Sequence, residues 1–317
     1  MPRLLLLLTV LAIAAAGCGG NPREAAPPAP AAPAEPVVLA LDFTPNPVHA
    51  PIYAAARRTD LKIQRPGTGP DALKLVASGK VDLGVLDIHD LAIAREQGTD
   101  LVAVGALVGK PLAALVAQPG IKRPRDLEGR TVGVSGLPSD PAFLRAILED
   151  DGADYDKVKQ VTIGFSAVSR LLSKRVDAVP AFWNAEGVAL RERGLDIKEF
   201  RVEDFGAPAY PEVVLITSRE TLKRDPDRLR GALKAIAAGV GDVRADLETS
   251  IAEIAEAAET DDETLVRAQL DAVLPLFDDD LVADGAVLDA WADFDARIGI
   301  VKQKPDVAAA FDFSLLE

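Results

Sequence analysis

Two periodicities of apolar and polar positions alternate through the first two thirds of the chain, and only one persists after that. Short apolar runs at Val37–Phe43, Leu61–Gln64, Val81–Leu86, Leu101–Val108 and Leu112–Gln118 read as strands. Between them Val48–Arg58, Pro70–Ser78 and Ile88–Gln97 carry helical spacing. A second series follows, with strands Thr131–Ser135, Val158–Ile163 and Val176–Phe182 and helices Pro141–Glu149, Ser166–Ser173 and Ala185–Arg193. Strand Val213–Thr217 closes it. From Arg219 onward, spacings of three and four through Leu229–Val240, Ile251–Ala258, Leu265–Leu276 and Val287–Ile298 predict helices alone. Strands separated by helices require crossover connections, so the pattern predicts an α/β fold with mostly parallel sheets.

The two series share a short internal repeat. Val76-Ala77-Ser78-Gly79-Lys80-Val81-Asp82-Leu83 parallels Leu171-Leu172-Ser173-Lys174-Arg175-Val176-Asp177-Ala178. In each, a helix ends, a basic residue follows, and Val-Asp enters an apolar strand. The register places Asp87-Ile88-His89 and Phe182-Trp183-Asn184 in matching positions just past a strand's carboxyl end, where open α/β sheets bind ligands. The expected organisation is two lobes: residues 37–111 with 214–317, and residues 112–213. Leu112–Gln118 and Val213–Thr217 are then the two crossing strands of a hinge.

The amino-terminal segment reads differently. Arg3 precedes an apolar run, Leu4–Ala16, too short to span a bilayer and right for a signal-peptide core. It ends in Ala15-Ala16-Gly17-Cys18, which resembles the lipobox of bacterial lipoproteins and implies acylation of Cys18. Residues 19–36 are mostly Ala, Pro and Gly and read as a tether that buries no core.

Composition then removes several function classes. Cys18 is the sole cysteine, so neither an internal disulfide nor a cysteine-based metal or redox site is available. With two histidines and no ligand spacing, no metal site is expected. A net charge of −14 disfavours nucleic acid, whose phosphates call for Lys and Arg.

Three motifs carry a resemblance. Leu41-Asp42-Phe43-Thr44-Pro45-Asn46-Pro47-Val48-His49-Ala50-Pro51-Ile52-Tyr53, Phe182-Trp183-Asn184-Ala185-Glu186-Gly187 and Gly206-Ala207-Pro208-Ala209-Tyr210-Pro211-Glu212 are similar to the signatures of the NMT1/THI5-like proteins. Phe43 stands where Trp is commoner, and Ala54–Gln64 is shorter than usual. The resemblance implies a periplasmic-binding-protein-like fold of type II, two lobes joined by two hinge strands. It further implies an extracytoplasmic lipoprotein of an ABC importer, whose partners are permease subunits, with no cofactor. The implied ligand is a thiamine pyrimidine precursor or a related heteroaromatic.

A flat aminopyrimidine calls for aromatic faces and a few polar groups at its edge. Phe43, Tyr53, Trp183 and Tyr210 are the candidate faces, and Glu186 the acceptor for an exocyclic amine. Asn46 and Asn184 supply donor and acceptor, and Asp42, His49 and Asp87 complete the set. Ser135-Gly136-Leu137 offers backbone N–H groups. Plainer readings stand beside these: Asn184 and Asp87 suit helix N-caps, Glu186 suits a helix first turn, and His49 suits local capping. His89 reads as structural. Three competing functions remain, one of them a non-transport interaction lipoprotein, for which nothing in the sequence speaks. An anion receptor of the sulfonate, nitrate or taurine type would use Lys110 or Arg170. A pyrimidine synthase, the enzymatic branch of the resembled family, would require clustered cysteines.

Overall fold

The computed structural model describes residues 35–67, 71–137 and 139–317. Cys18, the leader and the tether up to residue 34 lie outside the described residues. Among the described residues no helix is long and apolar enough to cross a membrane.

Among the described residues ten strands form two five-stranded sheets. In the first, β1 (Val38–Ala40), β2 (Lys62–Gln64), β3 (Leu83–Asp87), β4 (Leu101–Val108) and β10 (Val213–Ser218) take the order β2-β1-β3-β10-β4. In the second, β5 (Ala113–Ala117), β6 (Thr131–Val134), β7 (Lys159–Thr162), β8 (Ala178–Phe182) and β9 (Lys198–Arg201) take the order β7-β6-β8-β5-β9. Substituting β6–β9 for β1–β4, and β5 for β10, turns one order into the other. The sheets are mixed, not mostly parallel. β1 runs parallel to β2 and β3, and β6 to β7 and β8. β10 is antiparallel to both its neighbours, as is β5. Those two strands are the ones that arrive from the other sheet, so each enters against the local chain direction.

Both faces of the first sheet are covered, and alternate residues feed different cores. Leu83 and Val85 of β3 and Val213 and Leu215 of β10 join the cluster containing Leu229, Leu233 and Ile236 of the helix Pro226–Ala245. Leu86, Val214 and Ile216 join Trp291 and Phe294 of the helix Gly285–Ile298. This second cluster also takes in Leu115 and Ala117 of β5, so one core continues into both sheets. Two-sided burial explains why β4 reads as an unbroken apolar run. β4 is an edge strand, yet all eight of its residues are buried, because Phe277 and Phe311 bridge onto it from the carboxyl-terminal region. Each such side chain contributes about 1.5–3 kcal/mol. Gly239 sits where the helix Pro226–Ala245 crosses the helix Ala50–Ala56: a Cβ there would clash with the Pro51 carbonyl oxygen.

Two local readings change. The apolar pattern does not reveal β9, because Lys198-Glu199-Phe200-Arg201 contains one apolar residue; its charged residues suit an edge strand. The helix expected over Ala185–Arg193 is a π-helical turn, Trp183–Gly187, continuing as α-helix Val188–Glu192.

The internal repeat has a structural job. Asp82 exchanges backbone contact with Val38, accepting its N–H on Oδ2 at 2.9 Å while its own N–H donates to the Val38 carbonyl at 2.9 Å. Asp177 does the same with Thr131, at 2.9 and 2.7 Å. In each sheet the Val-Asp aspartate ties the start of the third strand to the start of the first.

Candidate functional site

A cavity of about 380 Å³ opens where loops from the two sheets face each other. Its lining comes from the carboxyl ends of β1, β3, β6, β7 and β8 and from the segment entering β10, which is where the strand rule places it. The volume suits one small ring system with substituents.

The wall after β1 is built by a short polar network. Asn46 caps the turn Pro47–His49, accepting the Val48 N–H at 3.0 Å. The Asn46 N–H donates to His49 Nδ1 at 3.3 Å, so Nδ1 is an acceptor and Nε2 carries the hydrogen. Nε2 then donates to Asp42 Oδ1 at 2.9 Å. His49 is 1% exposed and acts through this bond, orienting Asp42 beside Phe43. Phe43 meets Phe165, from the loop after β7, at a centroid distance of 4.2 Å and a tilt of 58°. One ring comes from each sheet's loops, and both line the cavity.

On the second sheet's side, the π-helical turn brings Glu186 back over the end of β8, where Oε2 accepts the Phe182 N–H at 3.2 Å. Burial pushes the Glu186 carboxyl upward, opposed by the backbone N–H groups it accepts. The turn after β6 closes on itself: Asp140 accepts from the Ser135 hydroxyl at 2.9 Å and the Gly136 N–H at 2.8 Å. The Leu137 N–H donates to Ser135 Oγ at 3.3 Å. The Gly136 and Leu137 N–H groups, expected to be open to a ligand, are therefore already used.

The two crossings between sheets run side by side and meet at Glu212. Its N–H donates to the Val108 carbonyl at 2.9 Å, and its Oε2 accepts the N–H groups of Leu112 and Ala113 at 2.5 and 3.0 Å. Asp87 caps the helix Ile88–Glu96 through the His89 N–H at 2.7 Å. The polar tips of Asp87, His89 and Glu212 lie within 4.8 Å of one another. Burial raises Asp87 well above the ordinary carboxylate range, offset in part by His89. Burial alone would lower His89, but the Asp295 carboxylate, 2.6 Å from its Nδ1, overrides this and pushes it up to about 10.

The structure gathers Asp42, Phe43, Asn46, His49, Asp87, Ser135 and Glu186 on this cavity and leaves Tyr53, Trp183, Asn184 and Tyr210 off its lining. Tyr53 packs on the first-sheet core. Trp183 donates its Nε1–H to the Pro111 carbonyl at 3.2 Å, with the Arg201 guanidinium 4.0 Å over its ring. Asn184 is buried beside it. Tyr210 is fully buried, stacked on Phe294 and edge-on to His89. Sequence reasoning missed Phe165, Phe143, His89, Asp90 and Glu212 on the lining. Phe165 follows a predicted strand by the rule that selected Phe43, and Glu212 lies inside a quoted motif. The lining holds six carboxylates, Asp42, Asp87, Asp90, Asp140, Glu186 and Glu212, against one lysine, Lys74. Lys110 and Arg170 are not on it.

The sequence pattern described as NMT1/THI5 like matches residues 46–249. A formylaminopyrimidine-binding protein of Halalkalibacterium halodurans is 32% identical over 212 residues, covering 62% of this chain and 64% of that protein's length. A 4-amino-5-hydroxymethyl-2-methylpyrimidine phosphate synthase of Saccharomyces cerevisiae is 26% identical over 231 residues, covering 66% of this chain and 67% of the synthase. In fold, the chain matches the periplasmic aliphatic sulphonate binding protein of Escherichia coli with a TM-score of 0.68 at 18% identity, over 87% of this chain and 91% of that one. The alkanesulfonate-binding protein of Xanthomonas axonopodis pv. citri, bound to MOPS, matches with a TM-score of 0.71 at 18% identity, over 89% and 99%.

Proposed function

The chain belongs to the NMT1/THI5-like family, and on that premise we propose that it is an extracytoplasmic solute-binding protein of an ABC importer, taking an aminopyrimidine and catalysing no reaction. One observation carries this reading: the cavity presents a pair of contacting, tilted rings, Phe43 and Phe165, and a carboxylate, Glu186, within a lining of six acids and one lysine. Rings suit a flat heterocycle, with stacking on the order of 1–3 kcal/mol per base-like ring. Glu186 suits an exocyclic amine or a protonated ring nitrogen, where charge assistance strengthens the bond. The relative named for binding formylaminopyrimidine supports the ligand class.

An anion receptor is the weaker reading. The sulfonate-binding neighbours share the fold at 18% identity, and a lining with six acids and one lysine offers a sulfonate little cationic complement. A synthase reading has the yeast relative in its favour, but the cysteine cluster of that branch has no counterpart in a chain whose sole cysteine is Cys18. Attachment to the membrane through acylated Cys18 is part of the proposal. The mass of the mature amino-terminal peptide tests it.

Calorimetry with formylaminopyrimidine is the deciding experiment for the ligand. The expected result is saturable 1:1 binding, weakened about tenfold by Glu186→Gln, the cost of losing a charge-assisted hydrogen bond. Binding of an alkanesulfonate with no response to any pyrimidine would overturn the proposal.

A further inference from the structure

The first-sheet wall of the cavity carries more carboxyl groups than basic ones. Asp87, Asp90 and Glu212 all line it. His89 is the basic group among them, and it is already paired with Asp295 at 2.6 Å. Lys74 is exposed, whereas Asp90 and Glu212 are buried. Two of these acids, moreover, are half-engaged in a consistent way. Asp87 Oδ1 accepts the His89 N–H, and Glu212 Oε2 accepts the Leu112 and Ala113 N–H groups. Glu212 Oε1 and Asp90 Oδ1 are buried without a hydrogen-bond partner. A buried carboxylate oxygen left without a donor is costly, and these two acids, with Asp87 beside them, supply acceptors for several donors at once.

We infer that Asp87 and Glu212, with Asp90 beside them, form a second subsite for a protonated amine carried on the ligand's side arm, separate from Glu186 and the ring. The inference rests on the pyrimidine reading of the cavity and extends it to the ligand's charge. An ammonium offers three donors and no acceptor, which complements a set of carboxylate oxygens. A metal ion fits less well, because the Asp295 carboxylate 2.6 Å from His89 Nδ1 raises the imidazole's affinity for a proton, with which a metal at Nε2 would compete. Without a cation in place, protons make up the difference: burial and the neighbouring Asp87 charge push Asp90 up to about 8. An arriving ammonium displaces those protons, so binding of a charged arm releases protons and binding of a neutral arm does not.

The experiment is titration calorimetry on the full chain with two probes, 4-amino-5-aminomethyl-2-methylpyrimidine and 4-amino-2,5-dimethylpyrimidine. Each is run in two buffers of different ionisation enthalpy. The aminomethyl compound is expected to bind about tenfold tighter or more, the range for a hydrogen bond to a charged group, and to show proton release. Asp87→Asn keeps an N-cap acceptor, and Glu212→Gln keeps an acceptor for Leu112 and Ala113; circular dichroism checks that both fold. Each is expected to cut the preference between the probes to about threefold or less. Equal affinity of the wild type for both probes, or an undiminished preference in both folded variants, overturns the subsite while leaving the pyrimidine reading intact. Failure of both probes to bind removes the subsite and the pyrimidine reading together. Stoichiometric binding of zinc chloride alone, lost in the two variants, reassigns the cluster to a metal and overturns the amine.

Discussion

The turn after β3 and the turn after β8 occupy the same place in two sheets of the same strand order, yet they have been put to opposite uses. The first, Asp87-Ile88-His89, places a carboxylate and an imidazole on the cavity wall and leads to a third acid, Asp90. The second, Phe182-Trp183-Asn184, sends its largest ring away from the lining and winds a π-helical turn that returns Glu186 instead. What the halves retain in common lies upstream. Asp82 and Asp177 make the same pair of backbone hydrogen bonds to the first strand of their sheets. The shared sequence is therefore scaffold, and the site chemistry lies in the positions where the halves diverge.

The scaffold half of that comparison is open to the largest perturbation. Asp82 is also held by Arg228, whose Nη2 donates to Oδ1 at 2.5 Å, in a partly buried pair. Asp177's ion-pair partner among the described residues is Arg130, 4.0 Å away and exposed. Asp82→Ala removes a charged acceptor from a partly buried guanidinium that keeps Asp225, at 3.4 Å, and the Pro36 carbonyl as partners, an expected loss of about 3 kcal/mol. Asp177→Ala is expected to lose about 1–2 kcal/mol, since its ion pair contributes little in solvent. Denaturant unfolding measures both; equal losses would show that the Arg228 pair adds nothing and that the halves are equivalent.

A second effect separates the acidic turn from the apolar one. A carboxyl raised in the folded chain binds protons that the unfolded chain has already released. Its contribution is thus complete below the unfolded value and is lost as pH rises through the folded one. For Asp90 that window runs from 3.8 to about 8. His89, raised to about 10 from 6.5, loses its contribution in the same direction at higher pH. The lowered carboxyls, such as Asp151 beside Arg123, act in the opposite sense but only in acid. Tm of the unliganded protein is therefore expected to fall between pH 5 and pH 8, by about 3 °C or more. Asp90→Asn is expected to flatten that slope. A Tm that rises over this interval, or a slope unchanged in the variant, would mean the acidic turn is not holding its protons.

Much of this architecture is written in the hydrophobic pattern, because strands covered on both faces have no choice but to be apolar. β4 reads without ambiguity for that reason, and the register of the Val-Asp repeat identified the paired turns. β9 is unreadable because its pairing with β5 holds it, with one apolar residue in four. Strand direction was equally hidden: periodicity does not say that β5 and β10 enter from the opposite sheet. For the site, motif position selected residues whose backbone lies near the cavity, and side-chain direction then divided them. Tyr210 and Glu212 are two apart, and only the acid reaches the lining. His49 and Asn46 line the cavity, but the His49 ring bonds Asp42 and the Asn46 backbone, and the Asn46 side chain bonds Val48 and Thr44, a local role that motif spacing does not distinguish from ligand contact.

The finest test concerns Trp183, the residue on which the two turns differ most. Its Nε1–H bonds the Pro111 carbonyl in one crossing segment, and its ring packs against the cores on both sides while carrying Arg201 on one face. This geometry makes the ring a brace between the crossing and the second sheet. Trp183→Phe keeps most of the buried ring area and deletes the one donor, so the expected cost is about 1 kcal/mol in stability. Because the ring is off the lining, the pyrimidine affinity should move less than the stability does, and chiefly through the way the crossing is held. The opposite split, a Tm equal to that of the parent with affinity lost, would put the ring against the ligand. The second turn would then present an aromatic face of its own, and the division between a charged turn and a bracing turn would fail.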